Sequence, residues 1–237
     1  MSVTRFAAAM VAALGCLVAQ ANANLIITGV FDGPLTGGLP KVVELYAKAD
    51  VADLSTYGVG AANNGGGTDG VELVLSGSAS MGDFLYVTDT GSPFDGTMFS
   101  NYFGVSPSLL FDGNFANGGA ASINGDDAVE LFYDATGAFA GSETVVDVFG
   151  DINVDGSGLA WDYLDGWAYR KNGTGPDGST FVESNWTYSG INVTDGEVSN
   201  GTAATPFPIG SYSMVPEPAT CLLALCGLGV VAAARRR

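Results

Sequence analysis

Short apolar runs alternate with stretches rich in glycine, asparagine and aspartate, and two longer apolar segments close the ends of the chain. The short runs cover residues 25–30, 41–47, 71–75, 84–88, 128–133, 145–150 and 166–171, and they favour β-branched and aromatic side chains. Within 129–133, Val129, Leu131 and Tyr133 fall on one face with polar Glu130 between them, the period of a half-buried strand. Residues 84–87 are apolar on both faces and predict a central strand. A last strand is expected over 207–212. Outside the two end segments no helical period persists for three turns. Residues 60–70 and 114–124 are mostly small and polar and read as long loops, and 190–206 as a weakly structured approach to the last strand. Many short strands joined by Gly, Asn and Asp turns predict an all-β fold, a β-sandwich.

The end segments have a different character. At the start, Arg5 precedes an apolar core over 6–18, followed by the small-x-small site Ala21-Asn22-Ala23, the pattern of a cleaved signal peptide (residues 1–23) ending at Ala23. At the other end, Pro216, Glu217 and Pro218 precede an almost wholly apolar run over 219–234 and then Arg235, Arg236 and Arg237. Sixteen residues form a helix of about 24 Å, short against a hydrocarbon core of about 30 Å. The terminal arginines can snorkel, and by the positive-inside rule they hold that end in the cytoplasm. The prolines stop the helix and leave an extended, accessible peptide outside it.

Between these segments lie residues 24–214, enough for one domain with a substantial core. Glycine supplies 32 of these 191 residues, more than twice the usual share of about 7%. Four basic residues (Lys41, Lys48, Arg170, Lys171) stand against 24 acidic ones, a net charge of −20. Such a surface repels nucleic acid, whose binding rests on cationic side chains, and it disfavours anionic lipid. The chain has no His, and its three Cys all lie in the end segments. Disulfides, the usual zinc sites and thiol or Ser-His catalysis are therefore excluded from residues 24–214.

Residues 215–237, with Pro216-Glu217-Pro218, one hydrophobic helix and a basic terminus, resemble the PEP-CTERM sorting signal of Gram-negative bacteria. The resemblance implies export through the secretion translocon and transient inner-membrane anchoring by the C-terminal helix. It also implies processing near Pro216, Glu217 and Pro218 by an exosortase-type transpeptidase, with the cell surface or extracellular matrix as destination. A second resemblance covers roughly residues 25–190. Leu25-Ile26-Ile27-Thr28, then Val42-Val43-Glu44-Leu45-Tyr46 and Val51-Ala52-Asp53-Leu54-Ser55-Thr56-Tyr57, resemble the opening of a lamin-tail domain. Residues 124–132 (Asn-Gly-Asp-Asp-Ala-Val-Glu-Leu-Phe) and 145–150 (Val-Val-Asp-Val-Phe-Gly) resemble its closing strand pair. Ala47 departs from the Asn usual after Glu-Leu-Tyr. This resemblance implies an immunoglobulin-like β-sandwich serving as a binding or structural module.

Three constellations carry candidate chemistry. Asp151, Asn153 and Asp155, followed by Gly156, fit the D-x-N-x-D-G opening of a calcium loop. Position 12 is Asp162 rather than a bidentate Glu, and an Asp/Asn/Gly-rich turn gives the same pattern. Trp161, Tyr163, Trp167 and Tyr169 surround Asp162 and Asp165, which suits either a sugar-stacking platform or core packing. Asp126, Asp127 and Glu130 could form a glycosidase carboxylate pair, but adjacent acids on a strand point to opposite faces. The expected function is non-enzymatic: a structural or adhesive exported protein meeting extracellular polysaccharide. The alternative is a carbohydrate-binding module, assisted by calcium as its one conceivable cofactor.

Overall fold

The computed structural model describes residues 23–214 of the 237-residue chain. Among the described residues ten strands form in chain order: β1 Leu25–Phe31, β2 Lys41–Ala47, β3 Tyr57–Ala62, β4 Leu73–Val74, β5 Phe84–Asp89, β6 Leu110–Asp112, β7 Ala128–Tyr133, β8 Thr144–Phe149, β9 Trp167–Arg170 and β10 Trp186–Tyr188. An α-helix, α1 (Gly96–Phe103), lies between β5 and β6. The strands build a six-stranded sheet in the order β10-β9-β1-β2-β5-β6 and a four-stranded sheet in the order β4-β3-β7-β8. All pairings are antiparallel except β5 with β6. Mostly β structure in two sheets is consistent with a sandwich.

Strand alternation explains the two cores. From the larger sheet Leu25, Ile27, Val43, Leu45, Leu85 and Val87 form one buried core with Val59, Ala61, Val129, Leu131 and Phe149 of the smaller sheet. The other face of the larger sheet presents Ile26, Phe31, Val42, Tyr86, Trp167 and Tyr169. Phe99, Tyr102 and Phe103 of α1 cover that face together with Phe207 and Tyr212. The chain is therefore layered on both sides of its larger sheet.

Several expectations are corrected. Residues 207–212 do not form a strand but a strap across the second core. Pro208 has no N–H to give a ladder, and Gly210 turns the chain at φ +66°. Residues 114–124 are not a solvated loop, because Ala120, Ala121 and Ile123 are fully buried. Asn114 makes that compaction possible: its side chain accepts from the Asn117 N–H and donates to the Gly91 carbonyl. The strand expected over 71–75 shrinks to Leu73–Val74, and residues 60–62 belong to β3 rather than to the loop after it. Helix α1 was not anticipated. Asp95 caps it by accepting from the Thr97 N–H, and Gly104 ends it at φ 72°. Among the described residues no helix is long and apolar enough to cross a membrane.

Candidate functional site

The strap is fixed at every turn. Asn200 clasps Phe207 from both sides, its amide donating to the Phe207 carbonyl at 2.9 Å and its oxygen accepting the Phe207 N–H at 2.8 Å. The Trp167 indole N–H donates to the Thr205 carbonyl. Gly29 of β1 has no Cβ, and one built there would lie 2.6 Å from the Phe207 ring, so the missing side chain leaves the seat Phe207 occupies. The Ser211 and Tyr212 N–H groups both donate to the Tyr169 hydroxyl, at 3.0 and 2.9 Å. Ser213 is held by the Asn172 side chain.

Beneath the strap lies Glu44, fully buried in the middle of β2. Thr28 and Tyr169 each donate a hydroxyl to its Oε1 at 2.7 Å, and the Gly210 N–H donates to Oε2 at 2.7 Å. A bulge in β1 places Thr28 there: Ile27 pairs with Leu45 and Gly29 with Glu44, which leaves Thr28 as the extra residue. Burial pushes the Glu44 carboxyl up to about 7, partly offset by the hydrogen bonds from Gly210, Thr28, Tyr169 and Tyr86. Its donors are neutral hydroxyls and an amide. The sequence marks this residue as the one charge between apolar Val43 and Leu45, a signal that a partner waits inside.

A second buried acid ties the two sheets together. Arg170 of β9 donates through Nη2 to both carboxylate oxygens of Asp147 on β8, at 2.9 and 2.8 Å. Its Nε donates to the Ile27 carbonyl, its Nη1 to Asp177, and its guanidinium lies 4.4 Å over the Trp186 ring. With four basic residues against 24 acidic ones in residues 24–214, acidic partners for Arg170 are plentiful.

The loop holding Asp151, Asn153 and Asp155 is exposed. Asp151 accepts from the Asn153 N–H at 3.0 Å and Asp155 from the Ser157 N–H at 2.9 Å, so each closes a turn onto its own backbone. Gly156 is required by packing, since a Cβ there would sit 2.5 Å from the Trp161 ring. Asp162, at position 12, accepts from the Gly158 and Leu164 N–H groups. Among the described residues no three acidic side chains are placed to hold a metal ion.

Asp151 and Asn153 do line a cleft of about 300 Å3, together with Glu130, Val148, Gly150, Ile152, Ser179, Thr180 and Phe181. Glu130 lies buried there, and desolvation raises its pKa against a hydrogen bond from Thr68. Asp127 points elsewhere: its carboxylate accepts from the Asn64 and Asn124 N–H groups. The aromatic group is split between the two cores. Trp161 and Tyr163 pack on Phe149 between the sheets, while Trp167 and Tyr169 pack on Phe207 across the larger sheet. All four are at most 7% exposed, so the sugar-stacking platform read from their spacing is not there. Trp167 and Tyr169, two residues apart in β9, share one face of the larger sheet.

Of the processing residues, Ala23 opens the described part, and Pro216, Glu217 and Pro218 lie outside it. The PEP-CTERM protein-sorting motif matches residues 215–237. No curated protein and no solved structure matches the chain. The motif marks an exported protein sorted by an exosortase, with a membrane-anchored stage before surface or extracellular placement.

Proposed function

We propose that this chain is a non-enzymatic protein of the cell surface or extracellular matrix, structural or adhesive, in a Gram-negative bacterium. Residues 1–23 serve as its signal peptide. Residues 24–214 form one immunoglobulin-like sandwich of the lamin-tail type. In residues 215–237, Pro216, Glu217 and Pro218 lead into a membrane-spanning helix that is removed on processing.

The observation that carries this reading is the direct coupling of the β domain to the sorting motif. Tyr212 is 3% exposed and Ser213 is hydrogen-bonded, while the motif begins at residue 215. The cargo of the signal is thus the β domain itself, with no flexible tether before the motif. The lamin-tail resemblance is supported by where its segments fall. Residues 42–46 lie in β2, residues 128–132 in β7 and 145–149 in β8, and Asp53 caps the turn that leads into β3. A non-enzymatic role is supported by the engagement of Glu44, Asp127 and Asp147 with backbone and side-chain donors inside the fold.

Intact-mass measurement of the protein recovered from its host tests the proposal. The expected extracellular species begins at Asn24 and lacks residues 219–237. A main extracellular form that keeps Arg235, Arg236 and Arg237 would overturn the processing route.

A further inference from the structure

We propose that the cleft on the outer face of the smaller sheet binds one neutral glycosyl residue of an extracellular polysaccharide. The proposal rests on the surface or matrix role proposed above and names the partner of that role.

Strand alternation builds the floor. Val129, Leu131 and Phe149 point into the core, so Glu130 and Val148 point out, into the cleft. The walls are held in place. The Gly67 N–H donates to the Ile152 carbonyl, and Phe181 packs at 5.6 Å on Phe149 and 5.9 Å on Trp161. At about 300 Å3 the cavity lies at the small end of ligand pockets, suited to one sugar ring rather than a chain.

Its unused hydrogen-bonding capacity converges on one space. The Asn153 amide and the hydroxyls of Ser179 and Thr180 make no hydrogen bond among the described residues. Glu130, 3% exposed, is engaged by Thr68, whereas a carboxylate offers about four acceptor positions. Val148, Ile152 and Phe181 add apolar surface between these groups. Donors, acceptors and apolar patches at close intervals match the hydroxyls and C–H faces of a pyranose.

The lining also rejects the other classes. It holds no Lys or Arg, and two acids would repel a uronic acid or a phosphate. Calcium needs six to eight oxygens within about 2.6 Å. Asp155 lies outside the lining, and the space is far larger than an ion.

The test uses the exported protein purified from its host, probed on an array of neutral, amino-bearing and uronic-acid-bearing oligosaccharides in EDTA. Calorimetry with the best neutral probe then compares wild type, E130Q, a double S179A/T180A variant, and, as control, S106A in a separate cleft lined by Phe84, Tyr86 and Val105 beside β5. Ser179 and Thr180 are exposed, so their truncation leaves the fold intact. Neutral probes are expected to bind in EDTA, and E130Q and S179A/T180A each to weaken binding about tenfold, the loss of one or two good hydrogen bonds. S106A should bind like wild type. No neutral probe bound at about 10 mM, binding that EDTA abolishes, preference for acidic probes, or unchanged affinity in S179A/T180A would each overturn the proposal. A protein cleaved and outside the cell that binds no neutral probe sinks the cleft assignment alone. A chain retained whole in the inner membrane sinks the surface or matrix role, whatever the array reads.

Discussion

Replacing Glu44 with Gln should change how stability depends on pH more than it changes stability at any one pH. Burial raises the carboxyl from 4.5 to about 7 in the folded protein. Between those values the folded state holds a proton that the unfolded state has released. Stability from Glu44 is therefore complete below about 4.5 and is lost as pH rises through about 7. At 1.36 kcal/mol per pH unit, the loss is about 3 kcal/mol, a large part of a domain stability of about 5–15 kcal/mol.

The Gln variant cannot titrate, and its amide N–H2 group meets donors from Thr28, Tyr169 or Gly210. One donor then goes unpaired, at a cost of about 1–3 kcal/mol that is independent of pH. E44Q should be less stable than wild type at pH 5, and the gap should close or invert by pH 8. Urea unfolding of both proteins at pH 5, 6, 7 and 8 and constant ionic strength measures the gap, in which the other titrating acids cancel. A gap that stays constant across this range would refute the assignment of Glu44 as a buried carboxyl without a cation.

Arg170→Ala should cost about 3–5 kcal/mol, because Asp147 would be left buried between the sheets without its cation, and thermal melts would read the loss. Gly29→Ala should displace the Phe207 ring, with an overpacking cost of about 1–3 kcal/mol; limited proteolysis should then cut within residues 203–214, and wild-type resistance there would refute the seat. Asp151→Asn combined with Asp155→Asn should respond to millimolar calcium as wild type does at fixed ionic strength, because those carboxylates serve their own turns. A melting shift confined to wild type, near the 2.7 kcal/mol expected at a hundredfold excess over Kd, would instead establish a calcium site.

Strand pattern was legible in the runs whose alternation found a pairing neighbour. Val129 and Leu131 reach the core as their alternation required, and Phe84-Leu85-Tyr86-Val87 runs between two neighbouring strands because both of its faces are covered. Local polarity misled where packing was done by small residues. Ala120 and Ala121 carry little hydrophobic signal, yet both are buried, since side-chain caps from Asn114 satisfy the backbone around them. The strap at 207–212 has apolar alternation, but the Phe207 N–H goes to Asn200 and those of Gly210, Ser211 and Tyr212 go to Glu44 and Tyr169 instead of a neighbouring strand. The cleft was invisible because Glu130, Asn153 and Thr180 come from three segments joined only by the fold. Asp151 and Asn153 drew notice as a calcium motif, and their place in the cleft wall depends on contacts no local pattern encodes.

The acid excess, read from composition as a charged surface, has a second role in a chain so short of regular ladders. Asp53, Asp95 and Asp134 accept backbone N–H groups at turns and helix starts. Hydrogen bonds from Ser55, Thr97 and Thr136 hold these three carboxyls below their usual value. Their contribution is present above about pH 4 and is lost as pH falls through the lowered folded values. Two acids raised by desolvation act in the opposite sense. Glu44, and Asp165, which burial and the neighbouring Asp32 and Asp195 raise to about 6, lose stability as pH climbs from about 4 to 7. The two groups together move the stability maximum below neutrality. Self-repulsion of the net charge of −20 moves it the same way, since protonation relieves it. Thermal melts across pH 3–9 should therefore peak below neutrality. A maximum at pH 7 or above would mean that Glu44 and Asp165 are ionised in the folded protein.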